Sequence, residues 1–167
     1  MRLLLNGKVI GEKPMTRAGE FKATFTVPYA PGELKTVGLR DGREVETFVL
    51  KTAGEPATLR LTADRTKLRA DGQDLAFVTV EALDQHGVWH PQASPVVTFA
   101  VDGPGSLAAV GTGDLTSMES YQANTRTLFQ GRALAVVRTG DSGGSIKLTA
   151  TAPGLHSGEV MLTTVLP

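Results

Sequence analysis

Residues 59–101 read LRLTADRTKLRADGQDLAFVTVEALDQHGVWHPQASPVVTFAV, and they parse as strand, turn, strand, loop, strand. Ala76, Val78, Val80 and Ala82 alternate with Phe77, Thr79 and Glu81, and Val97, Phe99 and Val101 repeat the two-residue period. Such alternation puts apolar side chains on one face of a pleated strand. If the small aliphatic set faces the core, then Leu75, Phe77 and Leu83 fall on the outer face. Thr79 and Glu81 there are ordinary solvent-facing residues, whereas Phe77 and Leu83 would need cover from another element. The inverted register, with Phe77 in the core, fits its larger volume and remains open at this point.

Upstream, Leu3–Leu5 precede Asn6-Gly7, a type I′ hairpin signal because both residues tolerate positive φ. Residues 21–27 alternate Phe21, Ala23, Phe25 and Val27 against Lys22, Thr24 and Thr26, and predict a strand closed by Pro28 and Pro31-Gly32. Residues 34–40 and 44–50 flank Asp41-Gly42, a second hairpin. Residues 1–52 are thus expected to form a small antiparallel β module, sandwich-like and truncated at its N-terminal side, because it is below comfortable domain size. Ala53-Gly54-Glu55-Pro56 reads as a linker. Strands are then expected at 57–63, 75–83, 96–101, around 126–129, and at 133–138, 146–152 and 160–166. Seven short strands separated by turn signals make residues 53–167 an immunoglobulin-like β-sandwich. The fold class is all-β.

Composition agrees. Gly 19 and Pro 9 among 167 residues favour tight turns, and no window sustains a helical period beyond about two turns. Lys and Arg number 17, as do Asp and Glu, and the signs are interspersed. That balance gives no basic face for nucleic acid or an anionic membrane. Cysteine is absent, which removes disulfides and thiolate metal sites. No run approaches membrane-spanning length, and the apolar opening is too short for a secretory signal. The compartment is therefore left open: periplasmic or extracellular if a parent protein carries an upstream signal, otherwise cytoplasmic.

The segments LLLNGKVIGEK, VPYAPGELKTVGLRDGREV, LKTAGEPATLRLTADRTKLRADGQDLAFVTVEALDQHG, GTGDLTSMES and LFQGRALAVVRTG occur in that order along nearly the whole chain. Together they resemble the C-terminal accessory region of bacterial glycoside hydrolase family 2 enzymes, most often β-galactosidases. Thr112 and Leu115 depart from the resemblance, since the family usually has asparagine and proline there; the conformation of that loop is left open. The resemblance implies a parent whose two catalytic glutamates lie on a TIM barrel outside these modules. A barrel of roughly 250 residues does not fit in this chain, and none of its carboxylates matches the catalytic motifs.

Several motifs invite stronger chemistry. Gly140-Asp141-Ser142-Gly143-Gly144 spells an active-serine signature, and His86, Asp114 and Ser142 run in protease order. No histidine motif accompanies it, so a glycine-rich hairpin between strands is the expectation. Residues 103–108, GPGSLA, fit a dinucleotide fingerprint, but Gly111 and Gly113 break the helix it requires, leaving a loop. His86 and His90 are four apart with His156 remote, which makes no metal site. Thr116 to Glu119 has capping-box spacing for one helical turn. Asp114 and Glu119 could be an acid/base pair, but turn and capping roles suit them better.

No catalytic, cofactor-binding or metal-ligating residue is therefore expected, and no cofactor. The candidate contact residues are Trp89, Tyr121, Phe77 and Leu83. Trp89 and Tyr121 can stack on a sugar ring, or can cover an open sandwich end or a neighbouring module. The expected partners are the catalytic and other domains of the parent chain, with a homo-oligomer contact or a carbohydrate as alternatives. Three function classes stand: a structural module supporting packing and assembly, a carbohydrate-binding module, and an adhesin-like spacer.

Overall fold

The computed structural model describes residues 1–166. They form thirteen strands and no helix, and the chain divides into two compact units, Met1–Thr52 and Ala53–Pro167.

The first unit is one antiparallel sheet. β1 (Arg2–Leu5), β2 (Lys8–Glu12), β3 (Glu33–Arg40) and β4 (Arg43–Lys51) lie in the order β2-β1-β3-β4. Both hairpins turn where the sequence allows positive φ: Asn6 and Gly7 at 50° and 79°, Asp41 and Gly42 at 52° and 77°. Leu3 and Val37 are the buried hydrophobics of this unit. Residues 21–27 correct the sequence expectation: among the described residues they have no ladder partner, and they form no strand.

The second unit is a two-sheet immunoglobulin-like sandwich. One sheet has the order β5-β7-β11-β9, from β5 (Pro56–Ala63), β7 (Leu75–Asp84), β11 (Arg132–Thr139) and β9 (Gly105–Gly111). The other has the order β10-β8-β12-β13-β6, from β10 (Thr125–Thr127), β8 (Val96–Asp102), β12 (Gly144–Thr151), β13 (Gly158–Val165) and β6 (Lys67–Arg69). All neighbours pair antiparallel except β6, which runs parallel to β13. Val78, Val80 and Val137 from one sheet, and Val97, Phe99, Ile146, Leu148 and Leu162 from the other, fill the core. Each such side chain contributes roughly 1.5–3 kcal/mol through burial.

Three local expectations are corrected. β9 occupies the stretch read as a loop, because Leu107 and Val110 pack inward although glycines flank them; β6 was likewise missed. Residues 140–144 do not close a hairpin. They carry the chain from β11 in one sheet to β12 in the other. Residues 116–119 form no helical turn, because the Glu119 carboxylate goes to Thr127 instead.

Candidate interaction groove

The register of β7 settles which face Phe77 occupies. Ala76, Val78, Val80 and Ala82 are fully buried between the sheets, and Phe77 is 42% exposed on the outer face. There it pairs across to Val136 of β11, which in turn pairs to Ala109 of β9. One step along, Thr79 sits opposite Leu134. The outer face of this sheet is thus apolar across three strands where a solvated face would be polar.

A groove of about 750 Å³ runs along this face, lined among others by Trp89, Tyr121, Phe129, Arg132, Leu134 and Val136. Trp89 and Tyr121, distant in sequence, converge on it. Leu83 does not: it is only 5% exposed, lies at the end of β7 bridged to Trp89, and offers no free surface.

Trp89 is held by the turn that follows β7. The buried Asp84 carboxylate accepts backbone N–H bonds from His86 and Val88, each 2.8 Å, and from Gly54 of the linker at 2.8 Å. The Gly54 amide, followed by that of Val88, keeps this carboxyl below its ordinary ionisation range. The indole edge then packs on Gly131. A Cβ there would lie 2.8 Å from Trp89 Nε1 and 2.2 Å from the His90 carbonyl oxygen. Over the indole face, at 4.0 Å, lies the Arg132 guanidinium, a cation–π arrangement.

Arg132 is fixed in turn by Glu81. That carboxylate bridges three strands, accepting from Arg60 of β5 at 2.6 Å and from Arg132 of β11 at 2.8 Å. Burial would raise its pKa, but the hydrogen bonds from the two arginines outweigh that and hold it low. Glu81 is only 8% exposed, so the sequence reading of it as an ordinary solvent-facing residue is corrected.

Tyr121 rests on the glycine floor of the groove. Its ring carbons would stand 3.6 and 3.7 Å from a Cβ at Gly111. Behind it the fully buried Arg126 lies 5.0 Å from the ring centroid. Arg126 donates to the Glu119 carbonyl at 2.9 Å and to the Thr112 hydroxyl at 3.3 Å. It thereby organises the loop whose conformation Thr112 and Leu115 left open. The sequence reading missed Arg126, Arg132 and Glu81 as site builders. An arginine directly before the apolar strand at Ala133 was the one available signal.

The carboxylates near this face are engaged. Glu119 accepts from the Thr127 hydroxyl at 2.6 Å, which with the Thr127 amide and Arg126 lowers its pKa despite partial burial. Asp114 accepts from the Thr116 amide and hydroxyl, in a turn role. Among the described residues, no three His, Cys, Asp or Glu are grouped to hold a metal ion. Ser142 is exposed in the link between sheets, and Gly105 opens a strand, not a helix, so no amide cluster faces a pyrophosphate.

The second unit is thus an all-β sandwich module with an aromatic-lined groove on its outer face. Residues 59–161 match the family described as glycoside hydrolase family 2 C-terminal domain 5, and this chain belongs to that family. Residues 1–46 match a second family, described as a domain of unknown function (DUF4982). A β-galactosidase of Bacteroides ovatus, BoGH2A, is 40% identical over 156 residues, which is 93% of this chain and 18% of that protein. A β-glucuronidase of Formosa agariphila is 29% identical over 166 residues, 97% of this chain and 16% of that protein. The crystal structure of a glycosyl hydrolase family 2 member from Bacteroides cellulosilyticus superimposes with a TM-score of 0.91 at 37% identity. It is covered over 98% of this chain and 21% of its own. The chain therefore spans about a fifth of the length of these relatives.

Proposed function

We propose that this chain is a non-catalytic accessory region of a family 2 glycoside hydrolase of the β-galactosidase kind, and that the outer groove with Phe77 packs on other parts of that parent. The observation that carries the reading is the 40% identity to a β-galactosidase of which this chain matches 18%. Glycoside hydrolysis needs a carboxylic acid and a second carboxylate flanking the bond. Glu81 and Glu119, beside the groove, are both consumed in structural pairs. The parent would hydrolyse a β-galactoside on a domain outside this chain.

Assaying the purified chain and its parent on chromogenic β-galactoside and β-glucuronide tests this. The expected result is an inert chain and a parent active on the galactoside. Turnover by the chain that survives purification and disappears in Glu119→Gln would falsify the non-catalytic reading; a parent active only on the glucuronide would overturn the sugar.

Carbohydrate binding is the second reading, favoured by the convergence of Trp89 and Tyr121 on one groove. Affinity electrophoresis in galactan-containing gels decides it. Retardation lost in Tyr121→Ala supports binding, and unchanged mobility supports packing alone.

A further inference from the structure

The first unit carries a mismatch between what its sequence is patterned to do and what its backbone does. Residues 21–27 alternate in exposure as a strand does: Ala23, Phe25 and Val27 are half-buried, while Lys22, Thr24 and Thr26 are exposed. The half-buried side turns toward the sheet, where the Phe25 ring would lie 2.9 Å from a Cβ at Gly11. Yet the backbone amides from Ala23 to Val27 donate no hydrogen bond among the described residues, and the segment has no ladder neighbour. Backbone donors in a layered β structure are ordinarily paired.

The sheet face beneath this segment is also incomplete. The registers place Leu3, Thr36 and Phe48 in one row across β1, β3 and β4, and Leu5, Leu34 and Leu50 in the next. Gly11 belongs to the same face, opposite Leu3. At the Gly11 end, Phe25 covers it. At the β4 end, Phe48 is 63% exposed and Leu50 is 56% exposed. A sheet with its apolar rows half covered has one full layer and part of a second.

We infer that the second layer is completed by extended polypeptide from the parent protein, outside this chain. It would pair with residues 23–27 through its backbone and lay alternate apolar side chains over Phe48 and Leu50. Such strand addition uses main-chain hydrogen bonds for affinity and alternate side chains for fit. The inference rests on the reading that the chain is part of a longer hydrolase. Its relatives have the length to supply such strands, since the chain spans 18% of one and 21% of another. The occupant is a strand of that same parent polypeptide, because consecutive elements usually lie side by side.

Amide hydrogen exchange on this chain and on its parent polypeptide tests the inference without any substitution. The amides of residues 23–27 should exchange near their intrinsic rates in this chain, and at least ~100-fold slower in the parent, as unpaired and paired strands do. Equal rates in both proteins overturn it. So does protection that grows with concentration in this chain alone, which would make a second copy the occupant. Glycosidase activity of the same parent sample reports separately on the hydrolase reading. An active parent with unprotected residues 23–27 fails only the strand inference, and an inactive parent with protected ones fails only the hydrolase.

Discussion

Single residues hold the groove together, and their roles differ in how readable they were. Gly131 is the most constrained: its φ is 70° and a methyl group there meets the His90 carbonyl oxygen at 2.2 Å. Gly131→Ala should therefore destabilise the second unit by about 3 kcal/mol, combining left-handed strain with overpacking. Urea denaturation checks this, and a loss below about 1 kcal/mol would mean the turn relaxes freely. Trp89 behaves differently. Among the described residues its indole N–H is buried without a partner, so Trp89→Phe removes an unsatisfied group and should cost under about 1 kcal/mol, whereas Trp89→Ala should cost about 2 kcal/mol. The position of Trp89 in a loop was legible from Pro91. Its neighbours were not, because Arg132 and Glu81 meet it only through strand register, which no local pattern contains.

Elements were legible where pattern and pairing agree within the chain. β7 and β11 alternate cleanly and pair with each other; both hairpins of the first unit follow their Asn-Gly and Asp-Gly turns. β9 escaped because glycines at 103, 105, 111 and 113 look like loop, whereas two of them serve close approaches, Gly103 against the Ser145 carbonyl and Gly105 against Ile146. Residues 21–27 failed in the opposite way: their exposure alternates as a strand's does, but no ladder partner lies among the described residues. β4 has the matching liability, an edge strand with all nine residues exposed. Exposed apolar edges template association. Phe48→Lys should therefore lower the apparent mass of this chain in concentrated solution by sedimentation, with the unfolding of the second unit unmoved. Equal self-association in wild type and variant would absolve this edge.

At the scale of the whole molecule, the two units differ in core. Leu3 and Val37 are the buried hydrophobics of the first, against the extensive core of the second. Calorimetry should show a weak early transition before the main one, and a single cooperative peak would refute that asymmetry. Acid acts chiefly on the second unit. Asp84 is lowered by the Gly54 amide, Asp74 by the Arg69 amide, Glu119 by the Thr127 hydroxyl, and Glu81 by its arginines against the burial that would raise it. These groups release protons more readily folded than unfolded. Their stabilisation is complete above the ordinary values of 3.8 and 4.5 and is lost as pH falls through the lower folded ones. Melting temperature should be flat above about pH 5 and fall steeply below about pH 4; a melting temperature still flat at pH 3 would contradict it. The parallel pairing of β6 with β13 bears on synthesis. β6 is made well before β13, which is the last strand of the second unit. That edge of the sheet stays unpaired until β13 has been made, and is exposed to chaperones and proteases meanwhile. A nonsense codon or slow decoding near residue 160 would thus harm the yield of folded protein far more than its position at the end of the unit suggests.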